Sequence, residues 1–205
     1  MAVVDYYYSL ISPWSYLGHD ALLATAAETG ATIVHRPVRI FELFAANGAV
    51  PLPQRAPARQ RYRLIELQRW REQRGLPLNL QPAFYPVNVA DADRIVIALA
   101  GMEIDPSGFA GAAFRALWAE ERNLADRATL AALLDACGHP VEAVLAAAAT
   151  EVVEERYVAN TRAAIAADLP GLPGYVLAGE PFWGQDRIEQ LHVALAGGRA
   201  PYGAG

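Results

Sequence analysis

The sequence predicts an α/β fold carrying a large all-helical insertion, on three observations. A strand, a helix and a second strand can be read in residues 1–38. A succession of alanine-rich helical segments fills residues 39–168, alanine being the strongest helix former. From residue 169 the chain returns to two short strands and a final helix. Taking the elements in order, Val3 to Tyr8 is rich in valine and tyrosine and reads as a strand, with Ser9 to Pro13 as its break. Pro13 suits a first helical turn and Gly30 a helix stop, so a helix spans Pro13 to Thr29, with Leu17, Ala21 and Ala24 as its expected buried stripe. Ala31 to Val38 is the second strand, joined in parallel to the first by a right-handed crossover.

Phe41 to Ala46 reads as a short helix, and Asn47 to Pro57 as a proline-rich loop. Pro57 to Arg74 is helical, with Leu64, Leu67 and Trp70 on one side and Gly75 at its end. After a proline-punctuated connector, helices are expected at Asp91 to Gly101, Pro106 to Glu121, Asp126 to Ala136, Pro140 to Ala149 and Glu151 to Ala167, with Asp126 as an N-cap. Tyr175 to Ala178 and Pro181 to Trp183 are short strands about a Gly179-Glu180 turn, Asp186 to Leu195 is helical, and the tail from Gly197 reads as irregular and frayed. A βαβ unit and a ββα unit flanking helices is the order of a thioredoxin-like fold with a helical insertion. Its parts are residues 1–38, 39–168 and 169–205.

A chain of 205 residues, 54% hydrophobic, can bury a substantial core. Its net charge of −5 argues against a nucleic-acid partner. The absence of an apolar run of about 18 residues or of a secretory leader pattern sets the expectation of no membrane association and a cytoplasmic location. One cysteine, Cys137, forms no internal disulfide, and the four histidines lack metal-ligand spacing, so no metal is expected. All 17 basic residues are arginine, which leaves no lysine for Schiff-base chemistry. Anions in a site must then be held by arginine, backbone amides or helix ends.

Four constellations carry the candidate chemistry. Ser12-Pro13-Trp14-Ser15 stands at the start of the first helix, where a thioredoxin-like oxidoreductase carries Cys-Pro-Trp-Cys. Ser12 alone reads first as an N-cap, and helix N–H groups there also favour a thiolate. Gly171-Leu172-Pro173-Gly174 precedes a strand, and from local sequence alone a trans turn is the favoured reading. Gly184-Gln185-Asp186-Arg187 opens the last helix, with Asp186 either a cap or a ligand for an ammonium group. Arg55, Arg59, Arg61, Arg63, Arg69, Arg71 and Arg74 crowd one loop and helix, a pattern that is usually a solvated face.

Together, Ser-Pro-Trp-Ser-Tyr-Leu-Gly after an aromatic strand, the Leu172-Pro173 turn and the Gly-Gln-Asp-Arg segment resemble the kappa-class glutathione transferases and the related 2-hydroxychromene-2-carboxylate isomerases. Phe84-Tyr85-Pro86-Val87-Asn88 and Phe114-Arg115-Ala116-Leu117-Trp118 extend the resemblance through the insertion. It implies glutathione as cofactor, Ser12 as the catalytic hydroxyl beside its sulfur, and cis-Pro173 with Leu172 pairing to its cysteinyl backbone. It implies further that Gln185 and Asp186 hold the γ-glutamyl end, and that Asn47 and Arg59 stand for the family's asparagine and lysine. Trp14, Phe84, Tyr85 and Trp118 are candidates to line a pocket for a small aromatic substrate, the alternative being plain core. The resemblance also implies a homodimer. The implied activity is a glutathione-dependent cis–trans isomerisation. The open alternatives are a kappa-like transferase that forms stable conjugates and a glutathione-binding module without turnover.

Overall fold

In the computed structural model, which describes residues 1–203, the aromatic opening run is strand β1 (Val3–Tyr8), followed by helix α1 (Pro13–Thr29) and strand β2 (Thr32–Pro37), parallel to β1. Seven helices come next: α2 (Ile40–Asn47), α3 (Pro57–Arg74), α4 (Ala90–Gly101), α5 (Ser107–Trp118), α6 (Arg127–Ala136), α7 (Val141–Ala148) and α8 (Glu151–Ala166). Strands β3 (Gly174–Leu177) and β4 (Glu180–Trp183) then form an antiparallel pair, and α9 (Ile188–Gly197) ends the fold. The sheet order is β2-β1-β3-β4, with β3 antiparallel to β1. This is the thioredoxin-like arrangement with a helical insertion.

Local chemistry explains where most elements begin and end. Ser12 caps α1 by accepting the Ser15 N–H at 3.2 Å, Pro13 fills the first turn, and Gly30 takes the left-handed conformation that ends it. Asp126 caps α6 through the N–H groups of Ala128 and Thr129. Helix α5 stops at Trp118, three residues short of the expected Glu121. The chain turns out of the helix at Ala119, Glu121 adopts positive φ, and the Arg122 N–H returns to the carbonyl of Ala116. The described part of the tail after α9 is irregular, as the sequence suggests, but it is tied down rather than frayed. Arg199 forks onto Glu180 at 2.6 and 2.7 Å, and the Tyr202 N–H joins the same carboxylate at 3.0 Å. Ala204 and Gly205, the end of that tail, lie outside the described residues.

Alternation along β1 sends side chains to two cores. Val4, Tyr6 and Tyr8 face α1 and α5, where Tyr6 stacks on Tyr8 at 4.2 Å and on Tyr175 at 5.5 Å. Tyr7 faces the other way, into a small cluster with Val38, Leu43, Ala164, Leu169 and Leu172. The larger cluster runs from β1 through Leu99, Phe114, Leu133 and Leu145, so sheet and insertion share one core. Helix α8 lies against β2, and its Asn160 reaches the carbonyl of Pro37 at 3.2 Å.

The buried face of α1 differs from the expected stripe: Ala24 is exposed, while Leu22, Thr25 and Ala26 point inward with Ser15, Gly18 and His19. The cause is packing on several sides, since α1 touches α3, α5 and α9. Gly18 marks the tightest approach. A Cβ there would come within 2.8 Å of the Gln185 Cβ and 2.9 Å of the Tyr175 hydroxyl, so this glycine lets α1 lie close against the segment that opens α9.

Candidate active site

A cleft of about 1420 Å³ opens where the N-terminus of α1, the Leu172 turn, the Gly184–Arg187 segment and α3 converge. Its polar floor is Ser12, which is nearly buried. Ser12 Oγ already accepts from Ser15, leaving the hydroxyl proton free to donate. In the first turn Pro13 has no N–H, and the N–H groups of Ser15 and Tyr16 are bonded to Ser12. Only the Trp14 N–H lacks a partner among the described residues of that turn. What the helix end can offer an anion is therefore one backbone donor, one hydroxyl and the helix dipole.

The loop ahead of Ser12 is held from beneath by a residue that sequence reasoning missed. Asp93 of α4, fully buried, accepts from Ser9 Oγ at 2.9 Å, the Leu10 N–H at 3.0 Å and Tyr157 Oη at 2.7 Å. Ser9 in turn accepts the Ser12 N–H at 2.9 Å. Burial raises the Asp93 carboxyl to about 7, against the opposing pull of its three donors and of Arg94. An acidic residue within an apolar helical stretch was the available signal, since an apolar helix face buries a carboxylate only with partners.

On the second wall the Leu172–Pro173 bond is cis. Leu172 lines the cleft, and neither its N–H nor its carbonyl has a partner among the described residues. Pro173 stands behind it and accepts the Gly184 N–H at 2.9 Å. Gly184 has φ 104°, a backbone conformation that side chains disfavour, so this position suits glycine. Gln185 is buried, its Oε1 accepting from Arg74 Nε at 3.2 Å and Nη2 at 3.0 Å, which leaves the amide NH2 as a donor. Asp186 lies in the cleft wall with its carboxylate on Arg187 at 2.7 Å.

Helix α3 supplies the basic wall. Arg59 and Arg63, one turn apart, line the cleft with Tyr62, Glu66 and Trp70, while Arg55 donates to the Val50 carbonyl at 2.7 Å. Trp14 and Tyr85 also line the cleft, and exposed Phe41, Val50, Tyr62 and Trp183 form an apolar rim.

Three candidates fall outside this space. Asn47 spends its amide on the Leu169 carbonyl at 2.9 Å and on the Ala49 N–H at 3.0 Å, which ties the end of α2 to the turn before β3. Phe84 is solvent-exposed away from the cleft lining. Trp118 is fully buried, its ring 4.9 Å from Tyr85, so it supports the wall without facing the cleft. Among the described residues no group of three His, Cys, Asp or Glu could hold a metal ion. Nor is any helix long and apolar enough to cross a membrane.

A family model for the DsbA-like thioredoxin domain matches residues 3–196. A 2-hydroxychromene-2-carboxylate isomerase from Pseudomonas putida is 30% identical over 94% of each chain. The chain belongs to this family of isomerases within the DsbA-like thioredoxin domains. A second relative of the same name, from Sphingobium xenophagum, is 26% identical over 94% of this chain and 97% of its own. The solved structure of a 2-hydroxychromene-2-carboxylate isomerase superposes with a TM-score of 0.81 at 29% identity, covering 94% of each chain. A probable DsbA oxidoreductase from Streptomyces coelicolor shares the fold at a TM-score of 0.75 and 19% identity, over 99% of this chain and 93% of that one. Unlike a disulfide oxidoreductase of this fold, the isomerase-family chain presents Ser12 and Ser15 at the head of α1 and has a single cysteine.

Proposed function

We propose that this protein is a glutathione-dependent isomerase of 2-hydroxychromene-2-carboxylate or a closely related product of aromatic ring cleavage. The observation that carries the reading is the pairing of an anion-stabilising serine at the head of α1 with the unpartnered backbone of Leu172 in one cleft. When bound, glutathione supplies a thiolate that adds reversibly to a conjugated double bond and so lets that bond rotate. The residues present fit it. Leu172 offers main-chain N–H and C=O groups to a cysteinyl backbone in the manner of strand addition. The Gln185 amide and the Asp186 carboxylate suit the γ-glutamyl end, and Arg59 suits a carboxylate. Ser12 and the Trp14 N–H donate where the sulfur's negative charge must be held.

Incubation with glutathione and the chromene substrate tests this: changed ultraviolet absorption at unchanged mass is the expected result. Added glutathione mass would make it a transferase. Glutathione affinity without any product would make it a binding module.

Losing Arg59 or Asp186 is expected to weaken glutathione binding by about 1.5–3 kcal/mol, roughly ten- to a hundred-fold in Kd, with turnover at saturating glutathione nearly kept. Calorimetric titration of Arg59→Ala and Asp186→Ala checks this, and wild-type affinity in both would confine the cofactor site to Ser12 and Leu172. We further propose that the enzyme works as a homodimer, the commonest closed symmetry. Light scattering is expected to give twice the chain mass, and a single-chain mass across micromolar concentrations would refute it.

A further inference from the structure

Four arginines line the cleft, Arg55, Arg59, Arg63 and Arg187, against two carboxylates, Glu66 and Asp186. Both carboxylates already have cations: Glu66 is bonded to Arg69 and Asp186 to Arg187. Arg55 is tied to a backbone carbonyl. Arg59 and Arg63 have no carboxylate partner among the described residues, and they differ in setting: Arg59 is exposed at the rim, whereas Arg63 is half-buried.

Partial removal of a guanidinium from water without a counter-ion carries a desolvation cost that a bound carboxylate would relieve. Burial pushes the Arg63 guanidinium down, and its neighbour Arg55 pushes it the same way, while Tyr85 opposes both. The Arg63 Cζ lies 5.8 Å from the centroid of the Tyr85 ring, and Tyr85 is itself braced by Trp118. A planar cation backed by a ring presents its remaining N–H groups as a two-pronged receptor for a carboxylate. Tyr62, Tyr85 and Trp70, which share this stretch of the cleft, offer faces for a flat aryl group.

We propose that Arg63, backed by Tyr85, is the receptor for the carboxylate of the aromatic substrate, and that Arg59 is left to serve glutathione. The identity of the substrate rests on the isomerase reading above; the subsite itself does not. The aromatic wall around Arg63 favours an aryl carboxylate over the glycyl carboxylate of glutathione, which has no ring to place there.

The test is calorimetric titration of the full chain, without glutathione, with benzylidenepyruvate and with its methyl ester. Wild type is expected to bind the acid about ten- to a hundred-fold more tightly than the ester, and Arg63→Met to lose that factor for the acid alone. Arg63→Lys, which keeps the charge but loses the planar fork, is expected to fall between them. Glutathione affinity is expected to stay unchanged in Arg63→Met. Equal acid binding in wild type and Arg63→Met would overturn the proposal, as would loss of glutathione affinity with acid binding retained, or a wild type that does not distinguish acid from ester. Because the titration reads binding apart from turnover, the two readings separate. A protein that holds the acid through Arg63 yet isomerises no chromene refutes the reaction. One that isomerises with the same KM in Arg63→Met refutes the subsite.

Discussion

Asp93→Ala is expected to cost about 3–5 kcal/mol of stability and most of the activity, because it orphans up to three buried donors at roughly 1–3 kcal/mol each. The Ser9 hydroxyl, the Leu10 N–H and the Tyr157 hydroxyl all end on this one carboxyl group. Two of them belong to the loop that sets the N-cap of α1, so the loss propagates to Ser12. Asp93→Asn is expected to behave quite differently. Its Oδ1 can accept from the Leu10 N–H while its amide donates to the two hydroxyls, and the charge that burial disfavours is gone. The pH dependence supplies the sharper signature. With a folded value of about 7 against 3.8 unfolded, the native state holds the Asp93 proton through the interval between them. The stability this contributes is complete below 3.8 and is lost as pH rises through about 7, a change of a few kcal/mol. Denaturant titrations of wild type are therefore expected to weaken from pH 4 to pH 8 by more than those of Asp93→Asn, with the variant the more stable at pH 8. Parallel pH profiles for the two proteins would show that Asp93 does not titrate in this range.

Ser12→Ala is expected to lower turnover by up to about 2.7–4 kcal/mol, on the order of a hundred- to a thousand-fold, the upper bound being the worth of one preorganised donor to an anion. The loss is bounded because the Trp14 N–H and the dipole of α1 remain. The contacts proposed for the rest of glutathione, at Leu172, Gln185, Asp186 and Arg59, are untouched, so affinity for the thiol form is expected to stay close to wild type while the loss falls on the thiolate fraction and on turnover, the reverse of the pattern for Arg59→Ala. Loss of the bond to the Ser15 N–H also removes a cap, with a cost near 1 kcal/mol in stability. Steady-state kinetics together with the ultraviolet absorbance of bound thiolate at neutral pH check the assignment. An alanine variant with the wild-type rate and thiolate fraction would reduce Ser12 to a helix cap.

The limits of α1 between Ser12 and Gly30, of α3 between Pro57 and Gly75, and of α6 behind Asp126 follow from residues a few positions apart. Caps and turns act locally, so the amino-acid order alone determines them. It likewise set out the order of strands and helices that defines the fold, and the resemblance its motifs carry brought forward Ser12, Leu172 and Asp186 as candidates, all three of which line the cleft. Tertiary packing decided the rest. Asp93 meets the Leu10 amide across 83 residues and Arg74 meets Gln185 across 111, pairings that no local pattern encodes. Asn47 is drawn to the Leu169 carbonyl and Trp118 into the core, because the space around each is set by elements from other parts of the chain. Which of seven closely spaced arginines faces the cleft beside Tyr85 is a matter of how α3 is rotated against the sheet, and that rotation exists only once the core has formed.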